Sequence, residues 1–276
     1  MDETLTDEML EDDQPVAIAG APDERTVEAA LRAARKAVAR ALSRIRRPLV
    51  RAGVIDAPPL GRLLVAESAR GIVAVRFLDS LDAASMLNGL KMRFDLIEDN
   101  KVAARIRREI ERYLNGDMRA LDRPVDLSLV ETDFQRRTLT RLRRAVPPGS
   151  VITYQALAAA VGAPSGQRAV GNTMAINPVP LYVPCHRVIR SDGTVGEYGG
   201  GAERKLRLLR TEGFRVDRDK RLPASAVLGH LRTHIFCRPR CCAAARADRA
   251  RMLIFADSEH ARGAGMRACK MCRPTG

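Results

Sequence analysis

The sequence has no tryptophan, and its few Tyr and Phe residues bring the aromatic content to only 4%. That excludes a core built on large rings. With 46% hydrophobic residues, the interior must be packed from Ala, Leu, Val and Ile. No stretch approaches the run of about 18 apolar residues that a membrane span requires, so no membrane partner is expected. Residues 1–24 contain nine acidic residues and no basic one, which is not the positively charged start of a secretory or transit peptide. The expected compartment is therefore the cytoplasm. In that reducing setting, six cysteines point to metal binding or catalysis rather than to disulfides.

What is present is positive charge. The net charge is +14 and the pI about 10.3. This suits a polyanion such as nucleic acid, or else reflects the bias of an Arg- and Ala-rich chain. The acidic residues 1–24 are expected to form a disordered tail. Residues 25–51 read as a basic amphipathic helix, with Leu31, Val38, Leu42 and Ile45 at helical spacing. Its Arg face is either a DNA-touching arm or a solvated surface.

After Pro58-Pro59 the pattern predicts strands in GRLLVAES and GIVAVRF around Ala69-Arg70-Gly71, then a helix, a strand in FDLIED and a helix over 100–114. That helix stops at Asn115-Gly116. Residues 57–125 thus form a small α+β unit. Asp133 is the expected N-cap of a helix ending before Pro147-Pro148-Gly149. Two short helices, TYQALAAAVG and QRAVGNTMAIN, flank a Gly-containing turn and read as a helix-turn-helix. A loop-rich stretch leads to a helix closing near 213. Residues 215–230 read as a linker, and 231–276 hold five of the six cysteines.

The remaining cysteine, Cys185, lies in VPCHRV. A thiol attacks as its thiolate and needs a base or positive surroundings, and His186 and Arg187 are adjacent in sequence. A Cys-His pair alone is more often structural than catalytic. The context decides otherwise. NPVPLYVPCHRVIRSDG followed by GEYGGGAERKLRLLRTEG resembles the O6-alkylguanine-DNA alkyltransferase family. The resemblance covers about 57–213 and is strongest over 133–213.

The resemblance implies a role for each matching residue. Cys185 accepts the alkyl group. His186 takes the thiol proton, through a bridging water in the family, and Glu212 orients the imidazole. Asn177 braces the turn carrying the active-site loop. Tyr154 donates a hydrogen bond to N3 of the purine. Met174, Pro180, Val183, Val188, Tyr198 and Gly199 line the base pocket or its wall, and Lys205 lies near the thiol. Arg168 opens the second helix of the helix-turn-helix and fills the gap left by a flipped base. Ala169, Val170 and Gly171 give that helix the slender face that a minor groove admits. The product is a thioether, so the protein acts once. Thr138, Leu139 and Gly199 depart from many relatives, which bears on pocket size rather than on the reaction.

In the tail, Cys237 and Cys241 are spaced C-x3-C, and Cys269 and Cys272 are spaced C-x2-C. Two close pairs across a loop fit a tetrahedral zinc site, with Cys242 as an alternative to Cys241. His230, His234 and His260 are expected to be bystanders. The tail resembles the zinc domain of Ada-type adaptive-response proteins, which implies that Cys237 could accept a methyl group from a DNA phosphotriester. It departs from that pattern by following the repair region rather than preceding it.

The expected fold class is α+β. It comprises a small ribonuclease-H-like α/β domain (57–125), a mainly helical active-site domain (126–214) containing the helix-turn-helix, and a short zinc module (231–276). The expected function is single-turnover transfer of an alkyl group from O6-alkylguanine, and O4-alkylthymine, in double-stranded DNA to Cys185. The expected protein is a monomer with zinc and no organic cofactor. The alternatives are a methylation-sensing transcriptional regulator and a non-catalytic lesion-binding protein.

Overall fold

The computed structural model describes residues 23–45, 47–79, 83–223, 225–248 and 251–274. Most of the expected acidic tail lies outside them. The chain divides into two compact units, residues 1–47 and 48–276. The first contains α1 (Glu24–Ile45), on which Val27, Leu31 and Val38 are exposed. The side chains of Leu42 and Ile45 lie outside the described residues. Among the described residues, no helix is long and apolar enough to cross a membrane.

The helix expected over 25–51 ends earlier, because Leu49–Ala57 is a strand, β1. Pro48 cannot donate to a helix ladder. Val50, Ala52, Ile55 and Ala57 then face the interior, while Arg51 and Asp56 face outward. The other strands expected here are present as β2 (Gly61–Ser68), β3 (Gly71–Phe77) and β4 (Asp95–Glu98), with α2 (Ala83–Arg93) before β4 and α3 (Asn100–Leu114) after it. The sheet order is β3-β2-β1-β4, antiparallel except for the β1–β4 pair. Asp99 caps α3 by accepting from the Lys101 and Val102 amides.

The helix α4 (Asp133–Ala145) is capped by Thr132 rather than Asp133. Thr132 Oγ1 accepts from the Gln135 amide, and the Gln135 side chain accepts from the Thr132 amide, a reciprocal pair that Asp133 could not make. Next come β5 (Ser150–Thr153), α5 (Tyr154–Ala160) and α6 (Gln167–Ala175). A single 3-10 turn, Cys185–Arg187, leads into β6 (Val188–Ile189), and α7 (Ala202–Thr211) follows.

The cysteine-rich end comprises β7 (Val227–His230), β8 (Ile235–Cys237), α8 (Cys242–Ala245), β9 (Met252–Phe255), α9 (Ser258–Gly263) and β10 (Arg267–Ala268). The linker expected over 215–230 therefore stops short of Val227, which begins a strand inside a sheet. That sheet has the order β10-β8-β7-β9-β5-β6. It crosses the expected module boundary, because β9 pairs antiparallel with β5 in the register Ser150↔Phe255 and Val151↔Ile254. Val227, Phe236, Leu253, Phe255 and Met266 share one buried cluster with Ile152, Leu157 and Cys185. Short strands that alone would hide little apolar surface become stable by joining a larger core.

Candidate active site and metal centre

The loop between α6 and β6 carries Cys185 and is held from within by Asn177. Asn177 Nδ2 donates to the Val183 carbonyl at 2.9 Å and to Cys185 Sγ at 3.1 Å, while its Oδ1 accepts from the Val179 amide at 3.1 Å. The β-sheet domain holds the same loop from outside. The Val75 amide donates to the Pro178 carbonyl, Arg76 to the Asn177 carbonyl, and Tyr182 to Glu109 Oε2 on α3.

Cys185 is buried, and burial pushes its thiol above the ordinary value, against the lowering effect of the Asn177 hydrogen bond and of Lys205 and Arg76. His186 is fully buried, with Nε2 3.0 Å from Glu212 Oε1. Burial holds the imidazole below its ordinary pKa in spite of the Glu212 charge, so it is neutral at neutral pH. Its Nδ1 has no hydrogen-bond partner among the described residues. Glu212 caps α7. Burial works to raise its carboxyl, but Arg187 and His186 outweigh that and hold it far below the usual carboxylate range. The Arg187 guanidinium grips Glu212 through Nε at 2.9 Å and Nη2 at 2.7 Å, and its Nη1 donates to the Val146 carbonyl. Arg187 is thus turned to Glu212 rather than to the thiol two residues before it.

Tyr113, at the end of α3, donates to Glu212 Oε1 at 2.5 Å and lies 3.4 Å from His186 Nε2. Sequence reasoning missed this phenol and Arg76, both contributed by the N-terminal domain. Lys205 is buried, and burial lowers its ammonium to about 8. It donates to the Val188 carbonyl at 2.7 Å and the Glu197 carbonyl at 3.1 Å.

A cavity of about 30 Å³ opens on Cys185, lined among others by Asn177, Met174, Pro180, Tyr198 and Gly199, with Arg76 and Phe77 from β3. Six of the expected pocket and active-site residues, Cys185 included, thus meet there. Val188 does not join them; it is buried in β6. Val183 contributes its carbonyl to Asn177. The cavity has room for water but not for a purine, which needs it to widen. Gly200 sets its present closure, since a Cβ there would meet the Phe77 ring at 2.5 Å and Tyr198 at 2.8 Å. Arg204 lies over Phe77 at 4.6 Å and donates to the Gly200 carbonyl.

Tyr154 opens α5 and is half-buried. Burial, and then the proximity of Cys185, raises its phenol. A Cβ on Gly171 would come 4.0 Å from the Tyr154 ring, so the two helices approach closely at that point. On α6, Arg168 and Ala169 are exposed while Val170 is buried. Thr138 and Leu139 are both buried, and Thr138 Oγ1 donates to the Phe134 carbonyl.

In the C-terminal sheet, the Sγ atoms of Cys237, Cys241, Cys269 and Cys272 lie within 4.8 Å of one another. Four thiolates about 2.3 Å from a zinc ion sit roughly 3.8 Å apart, so this donor set fits a tetrahedral site. Cys242 is exposed and outside the set, and His230, His234 and His260 are outside it too. The His260 ring instead occupies the place that a side chain on Gly149 or Gly213 would take. Gly213, at φ +89°, directly follows Glu212.

Three family descriptions match the chain: the ribonuclease-like domain of 6-O-methylguanine DNA methyltransferase over 50–127, the DNA-binding domain of the same family over 133–214, and the metal-binding domain of Ada over 213–275. The methylated-DNA–protein-cysteine methyltransferase of Methanosarcina barkeri is 32% identical over 154 residues, which cover 56% of this chain and 92% of that protein. The bifunctional transcriptional activator/DNA repair enzyme Ada of Escherichia coli is 38% identical over 161 residues, but the match spans only 44% of its length. For the rat methyltransferase the share is 50%. Among solved structures, the O6-methylguanine methyltransferase of Mycobacterium tuberculosis is 31% identical with a TM-score of 0.51, covering 64% of this chain and 96% of that one. With the Ada-type match and the geometry of the thiols together, Cys237, Cys241, Cys269 and Cys272 form a zinc-binding site. The chain belongs to the methylated-DNA–protein-cysteine methyltransferase family, with an Ada-type metal-binding domain built onto its active-site sheet.

Proposed function

We propose that the protein repairs DNA by moving an alkyl group from O6 of guanine, and from O4 of thymine, to Cys185 in a single irreversible turnover. The observation that carries this reading is the neutral, buried His186, which directly follows the buried Cys185 in sequence, is anchored through Nε2 to Glu212 and has no partner at Nδ1 among the described residues. A neutral thiol next to a neutral base reacts by giving up its proton as it attacks. The S–C bond forms as the C–O6 bond breaks. The thiol proton goes to His186 through a bridging water, and the electron pair leaves with the purine. Tyr154 donates to N3, which spreads that charge. Asn177 supplies a hydrogen bond to the sulfur as it becomes anionic.

The substrate is double-stranded DNA with the damaged base turned out of the stack, because the reacting atom is otherwise out of reach. Arg168 occupies the vacated space, and α6 lies along the minor groove. The base enters when the Tyr198–Gly201 turn moves away from Phe77. The protein acts as a cytoplasmic monomer. Incubation with O6-methylguanine DNA followed by peptide mass spectrometry tests the reading. It predicts a methyl group on the Cys185 peptide, and an unmodified peptide with the lesion retained in the DNA would sink it.

A second reading adds Cys237 as an acceptor of methyl groups from phosphotriesters. Cys237 is the one zinc-site cysteine that lines a cavity of about 530 Å³ also bordered by Arg232, Arg246 and Arg251. Bound zinc keeps such thiols deprotonated. The same experiment with methyl-phosphotriester DNA tests it on the Cys237 peptide.

A further inference from the structure

Two cavities between the helix-turn-helix and the zinc site share three residues. One, of about 360 Å³, is bordered by Arg141 on α4, Ala159 and Ala160 at the end of α5, and Arg232, Asp248 and Arg251. The other, of about 530 Å³, takes in Arg232, Asp248 and Arg251 again, adds Arg246, and ends at Cys237. Together they form one trough with four arginines and a single carboxylate, Asp248, which pairs with Arg251 at 3.2 Å. Arg141, Arg232, Arg246 and Arg251 are all exposed. His230, on the wall of the second cavity, is held below its ordinary pKa by burial and then by Arg232 and Arg251.

The trough is fixed to the DNA-reading helices through the backbone. Arg251 directly precedes β9, and its carbonyl accepts from the Leu231 amide, which sets Arg232 beside it. β9 pairs with β5, and the residue after β5 is Tyr154, the first of α5. The end of α5 that borders the trough runs into the turn leading to Arg168 on α6.

We propose that the DNA-contacting surface continues from the helix-turn-helix along this trough to Cys237, so that one duplex lies on both, with its phosphates on Arg141, Arg232, Arg251 and Arg246. This rests on the DNA-repair reading above. Four exposed guanidiniums against a single carboxylate suit a polyanion, and phosphate contacts position a duplex without reading its sequence. A rigid link through paired strands means that a duplex docked by α6 meets the trough at a fixed place. The zinc-bearing end of the chain thereby enlarges the footprint on undamaged DNA during the search for lesions.

The test compares the full-length, zinc-loaded protein with its Arg232→Gln/Arg251→Gln variant. Binding to an undamaged duplex is measured across a range of salt concentrations, together with a hydroxyl-radical footprint. Loss of two phosphate contacts should flatten the plot of log K against log salt by about 2 and weaken binding roughly tenfold or more near physiological salt. The footprint should shorten on one side only. Methylation of Cys185 at saturating O6-methylguanine DNA should stay at the wild-type level. A variant with unchanged slope and footprint overturns the proposal. So does an equal loss of slope in Lys101→Gln/Arg108→Gln, which removes the same charge from α3. A wild-type protein that neither binds DNA nor methylates Cys185 would instead defeat the repair reading itself.

Discussion

The phenol of Tyr113 donates a 2.5 Å hydrogen bond to Glu212 across the boundary between the sheet domain and the active-site domain. Glu212 Oε1 also receives His186 Nε2 and the Arg187 guanidinium, so three donors share one oxygen. A hydrogen bond to a charged group contributes about 1.5–3 kcal/mol. Without it the carboxylate draws harder on His186 and raises the imidazole pKa. Tyr113→Phe should slow single-turnover transfer by roughly tenfold and move the acidic limb of its pH profile upward, since His186 must be neutral to take the proton. A purely structural role would lower thermal stability and leave the profile in place.

Glu212 also ties stability to pH. Its carboxyl is held below the ordinary value in the folded chain. Its contribution is therefore complete above the unfolded carboxylate pKa of about 4.3 and is lost as pH falls below that. His186 acts in the same direction, since a base held below its usual pKa must be charged as acid is added. Glu212→Gln strands the buried Arg187 cation, at a cost of about 3–5 kcal/mol. Denaturant unfolding should show that full gap at pH 7 and a narrowing gap as pH drops towards 4 and below. A constant gap across that range would rule out this account.

Asn177→Ala removes the donor to Cys185 Sγ and two loop contacts at once. Burial then acts on the thiol with less opposition. The pH midpoint for alkylation of Cys185 by a small alkyl halide should move upward. Transfer from O6-methylguanine DNA should fall by a further factor set by loosening of the 178–184 loop. An unchanged midpoint would place Asn177 in loop structure only.

Legibility from sequence followed the range of each interaction. Helix α3 and the β2–β3 hairpin are local, and their caps, periodicity and turn residues show in consecutive residues. The Cys185 centre was legible because its residues sit within one motif-bearing segment; Asn177 reaches the Cys185 sulfur, and His186 meets Glu212. β1 was missed because its alternation slips at Ala52-Gly53 and it follows directly on a helix. Tyr113 and Arg76 reach the site from distant segments, and nothing next to them in sequence distinguishes a buried relay from a packed helix end or strand. The β5–β9 pairing was hidden for the same reason, since neither four-residue strand identifies its partner.

That pairing governs what metal removal should do. The zinc-site thiols sit at or beside β8, β10 and α8, and β9 joins their sheet to β5 at the root of α5. Structural zinc contributes folding free energy outright. A module with its own core would melt separately when stripped, whereas one that shares buried residues with Cys185 must melt with it. Cys269→Ala, or the wild-type protein treated with a chelator, should lose its bound zinc by elemental analysis. It should then show one calorimetric transition shifted down by several degrees, as a loss of a few kcal/mol implies. Transfer to Cys185 should persist at low temperature but be inactivated sooner on heating. Two transitions, with the upper one at the zinc-loaded temperature, would mean that the sheet is not a cooperative whole.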